Sequence, residues 1–216
     1  EWYEPPISTT YRGYTVYGTA PPSQGFLVLE MLNLLEGFDL AGMGFYNAEV
    51  THAMVEAKKL AFADRNRYMC DPAVMSIPLD ELISEEFADR RRRDIDPDRA
   101  ATKVEAGPLA APVAGDGNTS YFCVIDSEGN AVSFIHSLSS GFTGSFVAGS
   151  TGVLMNNRVG RGFSLVDGHP NVIEPGKRTM HTLNAYMVFD DDKPYMIGGT
   201  PGGDRQPQWN VQMITS

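Results

Sequence analysis

Gly115-Asp116-Gly117-Asn118-Thr119-Ser120-Tyr121-Phe122-Cys123-Val124-Ile125-Asp126 is the stretch on which the fold turns. A glycine-rich linker meets a Thr-Ser pair, and the chain passes at once into an apolar, β-branched run that reads as a strand. Upstream the pattern is helical and downstream it is strand-rich, so the predicted fold class is α+β with its change of character at Thr119. A hydroxyl at the first residue of a strand has a specific chemical use. Once the preceding bond is cut, the freed α-amine can serve as base for the hydroxyl of its own residue. The plainer reading, an ordinary loop-to-strand junction with a polar first residue, is the one a short motif favours when it stands alone.

Working outward, residues 97–118 are rich in Pro, Gly, Ala and Asp without periodicity, the one good linker in the chain. Before them, residues 11–17 alternate as a short strand, and Pro21-Pro22-Ser23 stops it with Ser23 as an N-cap. Residues 26–35 are apolar on nearly every side and predict a buried helix. A second helix is expected over about 48–65, and a charged amphipathic one over about 79–93. After Thr119, strands at 121–126 and 131–135 flank the hairpin-like connection Ser127-Glu128-Gly129-Asn130. Two more strands fall at 183–189 and 194–197, and a last helix at 206–214 follows the glycine-rich run 198–203.

A formal charge of −10 argues against nucleic acid or an anionic membrane as partner, since both call for basic surface. The one basic run, Arg90 to Arg93, lies among acids and reads as a solvated helix face. Cys70 and Cys123 make no disulfide framework, and the strand alternation predicts Cys123 as a buried thiol. The histidines (His52, His136, His169, His181) are isolated and the acids Asp190 to Asp192 lack calcium-loop spacing, so neither a metal nor a cofactor is expected. No apolar run approaches the roughly 20 residues of a membrane span. The opening Glu1-Trp2-Tyr3, without initiator Met or signal peptide, suggests a processed or excised piece and leaves the compartment unread.

The Gly202-Gly203 pair at a strand-to-helix turn has three readings. It is a tight turn, a phosphate loop (for which no GxxxxGK[ST] or GxGxxG pattern is present), or an oxyanion hole built from backbone N–H groups. Ser137, Ser139 and Ser140 are solvated loop hydroxyls, or one of them hydrogen-bonds the nucleophile.

The chain also resembles the γ-glutamyltransferase (γ-glutamyltranspeptidase) family of N-terminal-nucleophile hydrolases. The resemblance is carried by Pro21-Pro22-Ser23, Ala61-Phe62-Ala63-Asp64-Arg65, Asp71-Pro72, the run from Thr119 to Asp126 and Gly129-Asn130-Ala131-Val132. Val147-Ala148-Gly149, Gly152, Asn156-Asn157, Lys177-Arg178 and Pro201-Gly202-Gly203 continue it, in family order over nearly the whole chain. It implies a four-layer αββα sandwich and a precursor that cuts itself between Asn118 and Thr119. Residues 1–118 would then end the large subunit and residues 119–216 begin the small one. Because family members are more than twice this length, the chain is expected to be an internal segment whose partners are the remainder of both subunits. Assembly with further copies stays open. Residue by residue, Thr119 falls on the nucleophile, Ser137 on the hydroxyl that hydrogen-bonds it, and Gly202 and Gly203 on the oxyanion-hole glycines.

The substrate pocket departs from the family pattern. Ser139 stands where a substrate-binding Asn is expected, and Arg158 where a Gln is. Glycines and Arg161 occupy the region 160–162 in place of the acid that holds a substrate α-amine, and His181-Thr182 replaces a Ser pair. Loss of that acid would cost several kcal/mol for a buried ammonium, whereas Arg158 and Arg161 suit a carboxylate. The departures resemble the acylase and amidohydrolase side of the family. The expected substrate is a small-molecule amide, hydrolysed or transferred through an acyl-enzyme on Thr119. Two other readings are a γ-glutamyl transferase with a different α-amine contact and a non-catalytic relative that keeps the fold for binding.

Overall fold

The computed structural model describes residues 5–44, 47–76, 78–105, 119–140 and 146–216. The residues predicted as one strand at 11–17 form parts of a hairpin, β1 (Ile7–Tyr11) and β2 (Tyr14–Gly18). Arg12 and Gly13, both at positive φ (51° and 88°), make the tight link between them, as a primed two-residue turn requires. The helix α1 (Phe26–Glu36) follows, fully buried from Phe26 to Leu35. Its N-cap is Gly25 rather than Ser23. The Ser23 hydroxyl instead accepts the Gly25 N–H at 3.2 Å and donates to the Leu183 carbonyl. A β-carbon at residue 25 would meet the Thr19 carbonyl at 2.2 Å, so only glycine fits there.

After the short α2 (Leu40–Met43), α3 (Ala48–Tyr68) runs three residues beyond its predicted end and packs on α1. The single helix expected over 79–93 is two, α4 (Leu79–Leu82) and α5 (Glu85–Arg92). Ser84 separates them because its hydroxyl accepts the Phe87 N–H at 3.1 Å and starts a new helix. The second half of the expected linker, including Asn118, lies outside the described residues.

The strands β3 (Thr119–Ile125) and β4 (Ala131–Ser137) form an antiparallel hairpin with Thr119 opposite Ser137. Its turn is held by Asp126, whose carboxylate accepts the backbone N–H groups of Glu128 and Asn130, each at 2.9 Å. A short α6 (Val159–Gly162) precedes β5 (Ala185–Asp190) and β6 (Lys193–Gly199), and the described chain closes with α7 (Gln206–Thr215).

The strands β1, β2, β5 and β6 make one antiparallel sheet in the order β1-β2-β5-β6. Its two faces are told apart by register. Val16 lies opposite Val188, and Tyr186 opposite Gly198; Val16, Tyr186 and Val188 are buried with the apolar side chains of α1 in the main core. Gly199, opposite Ala185, belongs to the other face, and a β-carbon there would meet the Tyr121 ring at 2.5 Å. Helices thus cover one face of the sheet while the β3–β4 hairpin lies against the other, tied to it by Ser133 Oγ donating to the Gly198 carbonyl at 3.1 Å. Cys123 is exposed, contrary to expectation. Alternation puts it on the same side of β3 as Tyr121, but pattern alone does not say whether that side is covered. The hairpin's other face, with Phe122, Val124, Val132 and Phe134, is exposed among the described residues.

Candidate active site

The antiparallel register brings Thr119 and Ser137 side by side, and the Thr119 hydroxyl donates to Ser137 Oγ at 3.0 Å. Ser137 Oγ also accepts the Ser139 N–H at 3.0 Å. Ser139 is buried and sits at φ +74°, a conformation that a non-glycine residue keeps only when its surroundings hold it there. The holding contacts are visible: Arg161 Nη1 donates to the Ser139 carbonyl at 2.8 Å, and the Ser140 N–H donates to Asn157 Oδ1 at 3.0 Å.

Ser137, Ser139, Arg158, His181 and Thr182 line one cavity of about 220 Å³, together with Asn156, Thr179 and Leu183. Arg158 bridges its two walls, with Nη1 at 3.5 Å from Ser139 Oγ and 3.3 Å from Thr182 Oγ1. Burial, then repulsion from Arg161 and Arg65 against a smaller attraction to Asp204, brings the Arg158 guanidinium down to about 10, so it stays charged at neutral pH. Ser140 does not line this cavity, and among the described residues no three His, Cys, Asp or Glu side chains cluster as a metal site.

Gly202 and Gly203 lie outside the cavity lining but are connected to it through Gln24, a residue that sequence reasoning missed. The fully buried Gln24 side chain donates from Nε2 to the carbonyls of Thr182 (3.1 Å) and Gly203 (2.8 Å). Its Oε1 accepts from Arg65 Nη1 at 3.2 Å, and the same nitrogen pairs with Asp204 at 2.6 Å. The clue in the sequence was a lone amide at the edge of an otherwise apolar helical run, which has to be hydrogen-bonded if it is buried.

The Gly202-Gly203 turn needs glycine: φ is +118° and +57°, and a β-carbon at residue 202 would strike the Trp209 ring at 2.8 Å. The Gly202 carbonyl accepts the Arg205 N–H at 3.0 Å and so points into the following helical turn. In a trans peptide the N–H points the opposite way, so the Gly203 N–H is turned outward. Among the described residues neither the Gly202 nor the Gly203 N–H donates a hydrogen bond. Unpaired amides on a glycine turn are what an anionic oxygen needs.

A model of the γ-glutamyltranspeptidase family matches residues 1–216. The chain belongs to this family. It is 42% identical over 215 residues to the glutathione hydrolase-like YwrD proenzyme of Bacillus subtilis (strain 168), covering 100% of this chain and 39% of that protein. Against the glutathione hydrolase proenzyme of Pseudomonas sp. (strain A14) the identity is 35% over 210 residues, covering 93% of this chain and 36% of the relative. In structure it is similar to the cephalosporin acylase from Bacillus halodurans, with a TM-score of 0.79 and 38% identity over 100% of this chain and 37% of that one. The chain therefore spans less than two fifths of the length of the relatives it matches. The names of these γ-glutamyltranspeptidase-family relatives are those of hydrolases and acylases, and two of them are named as proenzymes.

Proposed function

We propose that this chain carries the nucleophile of an autoprocessed N-terminal-threonine amide hydrolase, with residues 1–118 ending one subunit and residues 119–216 beginning the other. In the precursor, Thr119 Oγ attacks the carbonyl carbon of Asn118 and the peptide nitrogen leaves as the Thr119 amine; water then hydrolyses the resulting ester, which releases the Asn118 carboxylate and restores the Thr119 hydroxyl. In the mature enzyme that amine takes the hydroxyl proton as Oγ attacks the substrate amide. The Gly202 and Gly203 N–H groups receive the negative oxygen of the tetrahedral intermediate. The proton passes to the leaving amine, and water or an acceptor amine then resolves the acyl-enzyme. Ser137 orients Oγ throughout, and Ser139, Arg158, His181 and Thr182 hold the acyl group.

The observation that supports this most directly is the 3.0 Å bond from the Thr119 hydroxyl to Ser137, at the edge of a cavity that Ser137 also lines. The layer order of helices, sheet and hairpin suits a four-layer αββα sandwich, whose fourth layer would cover Phe122, Val124, Val132 and Phe134. Intact-mass measurement on the full-length protein tests the reading. Wild type is expected to break between Asn118 and Thr119, and Thr119→Ala to remain one inactive chain. A Thr119→Ala protein that is still cleaved there, or wild-type activity from an uncut chain, would sink it.

A further inference from the structure

Arg65 is among the largest side chains that the fold buries completely, and all three of its guanidinium nitrogens donate hydrogen bonds. Nε and Nη2 converge on Asn66 Oδ1 at 3.2 and 3.1 Å, and the guanidinium carbon lies 4.5 Å from the centroid of the Phe62 ring. Neighbours on α3 itself thus fix the plane of the guanidinium. That plane aims Nη1 at the glycine turn, where it donates to Asp204 Oδ1 at 2.6 Å and to Gln24 Oε1 at 3.2 Å. Gln24 in turn holds the Gly203 carbonyl at 2.8 Å, and Asp204 is the next residue along. Nη1, the Gln24 amide and the Gly203–Asp204 peptide therefore close a single ring of contacts around the turn.

A buried ion pair adds little net stability over apolar side chains of similar size, so stability alone gives no reason for charge at this place. The site does give one. Asp204 sets a carboxylate one residue from the amides that receive the anionic oxygen in the proposed mechanism, and like charges oppose each other strongly where water is excluded. Both charges of the pair are felt at Arg158 on the cavity wall. We infer that Arg65 is a positioning residue for the oxyanion turn: it holds the Gly203–Asp204 peptide in place and cancels the Asp204 charge beside the reacting oxygen. The inference rests on the oxyanion role proposed above for Gly202 and Gly203.

Four full-length proteins test it: wild type, Arg65→Met, Asp204→Asn and the double variant. Their kcat on a chromogenic amide is divided by the self-cleaved fraction from intact mass. Arg65→Met is expected to lose on the order of a hundredfold in kcat with KM within about threefold, because the turn is released and a bare carboxylate faces the oxyanion. Asp204→Asn keeps an acceptor for Nη1 and should lose no more than about tenfold. The double variant, rid of the bare carboxylate, should regain about tenfold over Arg65→Met. A pair that only props up the fold gives a double variant no better than Arg65→Met, and that result overturns the inference, as does an unchanged kcat in Arg65→Met. Should Arg65→Met fail to fold, Asp204→Asn is compared with Asp204→Ala, which offers Nη1 no acceptor and should be clearly slower; equal rates overturn the inference. Hydrogen exchange at the Arg205 and Gln206 amides, which bond the Gly202 and Gly203 carbonyls, separates this from the Thr119 reading. If even wild type cleaves neither itself nor an amide, the catalytic proposal falls. Faster exchange in Asp204→Ala than in wild type then still upholds the hold on the turn, and unchanged exchange overturns it.

Discussion

Replacing Gln24 by methionine keeps the length and most of the volume of the side chain and removes its amide. Three contacts change. The carbonyls of Thr182 and Gly203 lose the donor they share, at 3.1 and 2.8 Å, and Arg65 Nη1 loses an acceptor at 3.2 Å. Arg65 retains Asp204, and Gly203 retains the Gln206 N–H, so the Thr182 carbonyl is affected most. At about 1–3 kcal/mol for a buried polar group left unpaired, the variant should lose roughly 2–4 kcal/mol of stability. The larger signal is kinetic. The peptides flanking Gly203 are held on one side by Arg205 and on the other by Gln24 together with Gln206. Weakening the second side lets the oxyanion donors drift, and a misplacement of about 1 Å costs on the order of a hundredfold. We therefore expect Gln24→Met to lower kcat by about 10- to 100-fold with KM within about threefold, and to slow self-cleavage in parallel. Steady-state rates on a chromogenic amide and the time course of intact mass measure both. An unchanged kcat in folded, processed Gln24→Met would refute the reasoning. A raised KM at constant kcat would assign Gln24 to the pocket wall at Thr182 instead.

Gly202→Ala should be far more damaging, because it forces a β-carbon against Trp209 at φ +118°; its yield of soluble, self-cleaved protein reads this out, and normal yield with normal kcat contradicts the turn's role. Glu30, fully buried in α1, has its carboxyl pushed well above the usual range by burial and by the Asp64 carboxylate, with Arg91 opposing. The folded chain therefore keeps a proton that the unfolded chain releases above its ordinary value, so this contribution is full at acid pH and falls by about 1.4 kcal/mol per pH unit until the folded group titrates. Glu30→Gln should flatten the urea midpoint of the full-length protein between pH 5 and 8, and parallel curves for the two proteins would count against it. Asp71 has the opposite sign: burial raises its carboxyl, but the Arg178 and Ala73 N–H groups and the Arg178 guanidinium outweigh that and hold it below the usual range. Its contribution is present above the unfolded value and is lost as pH falls through the folded one, so Asp71→Asn should matter at pH 7 and progressively less as the pH drops below the ordinary carboxylate range.

Where a single physical cause acts, the amino-acid pattern was legible. A nearly all-apolar run gave the buried α1, and the alternation after the Thr-Ser pair gave β3, which begins at Thr119, two residues before the expected 121. Where two causes compete, it was not. Ser23 is a good cap by residue type, but the close approach of Thr19 made residue 25 the glycine that starts the helix and left Ser23 to bond across to Leu183. The Arg12-Gly13 turn was hidden inside an apparently continuous alternation because Arg is not a usual residue at positive φ. Of the site, Ser137, Ser139, Arg158, His181 and Thr182 do meet in one cavity. Gln24 stood out only as a lone amide beside an apolar run, and its partners were not legible because its bonds are long-range, to Thr182 and Gly203 far along the chain.

The pairing of Thr119 with Ser137 has a consequence for how the site tolerates change. That pairing is the far end of a ladder that begins at Ile125 opposite Ala131, beside the Asp126 turn. Six residues at about 3.3 Å each put that turn roughly 20 Å from the hydroxyl. Side chains alternate strictly along a strand, so one residue added to or removed from an exposed surface turn would present Thr119 to a different neighbour on the opposite face. The hairpin works as a ruler whose zero mark is Asp126, and the nucleophile's address is written at the end farthest from it.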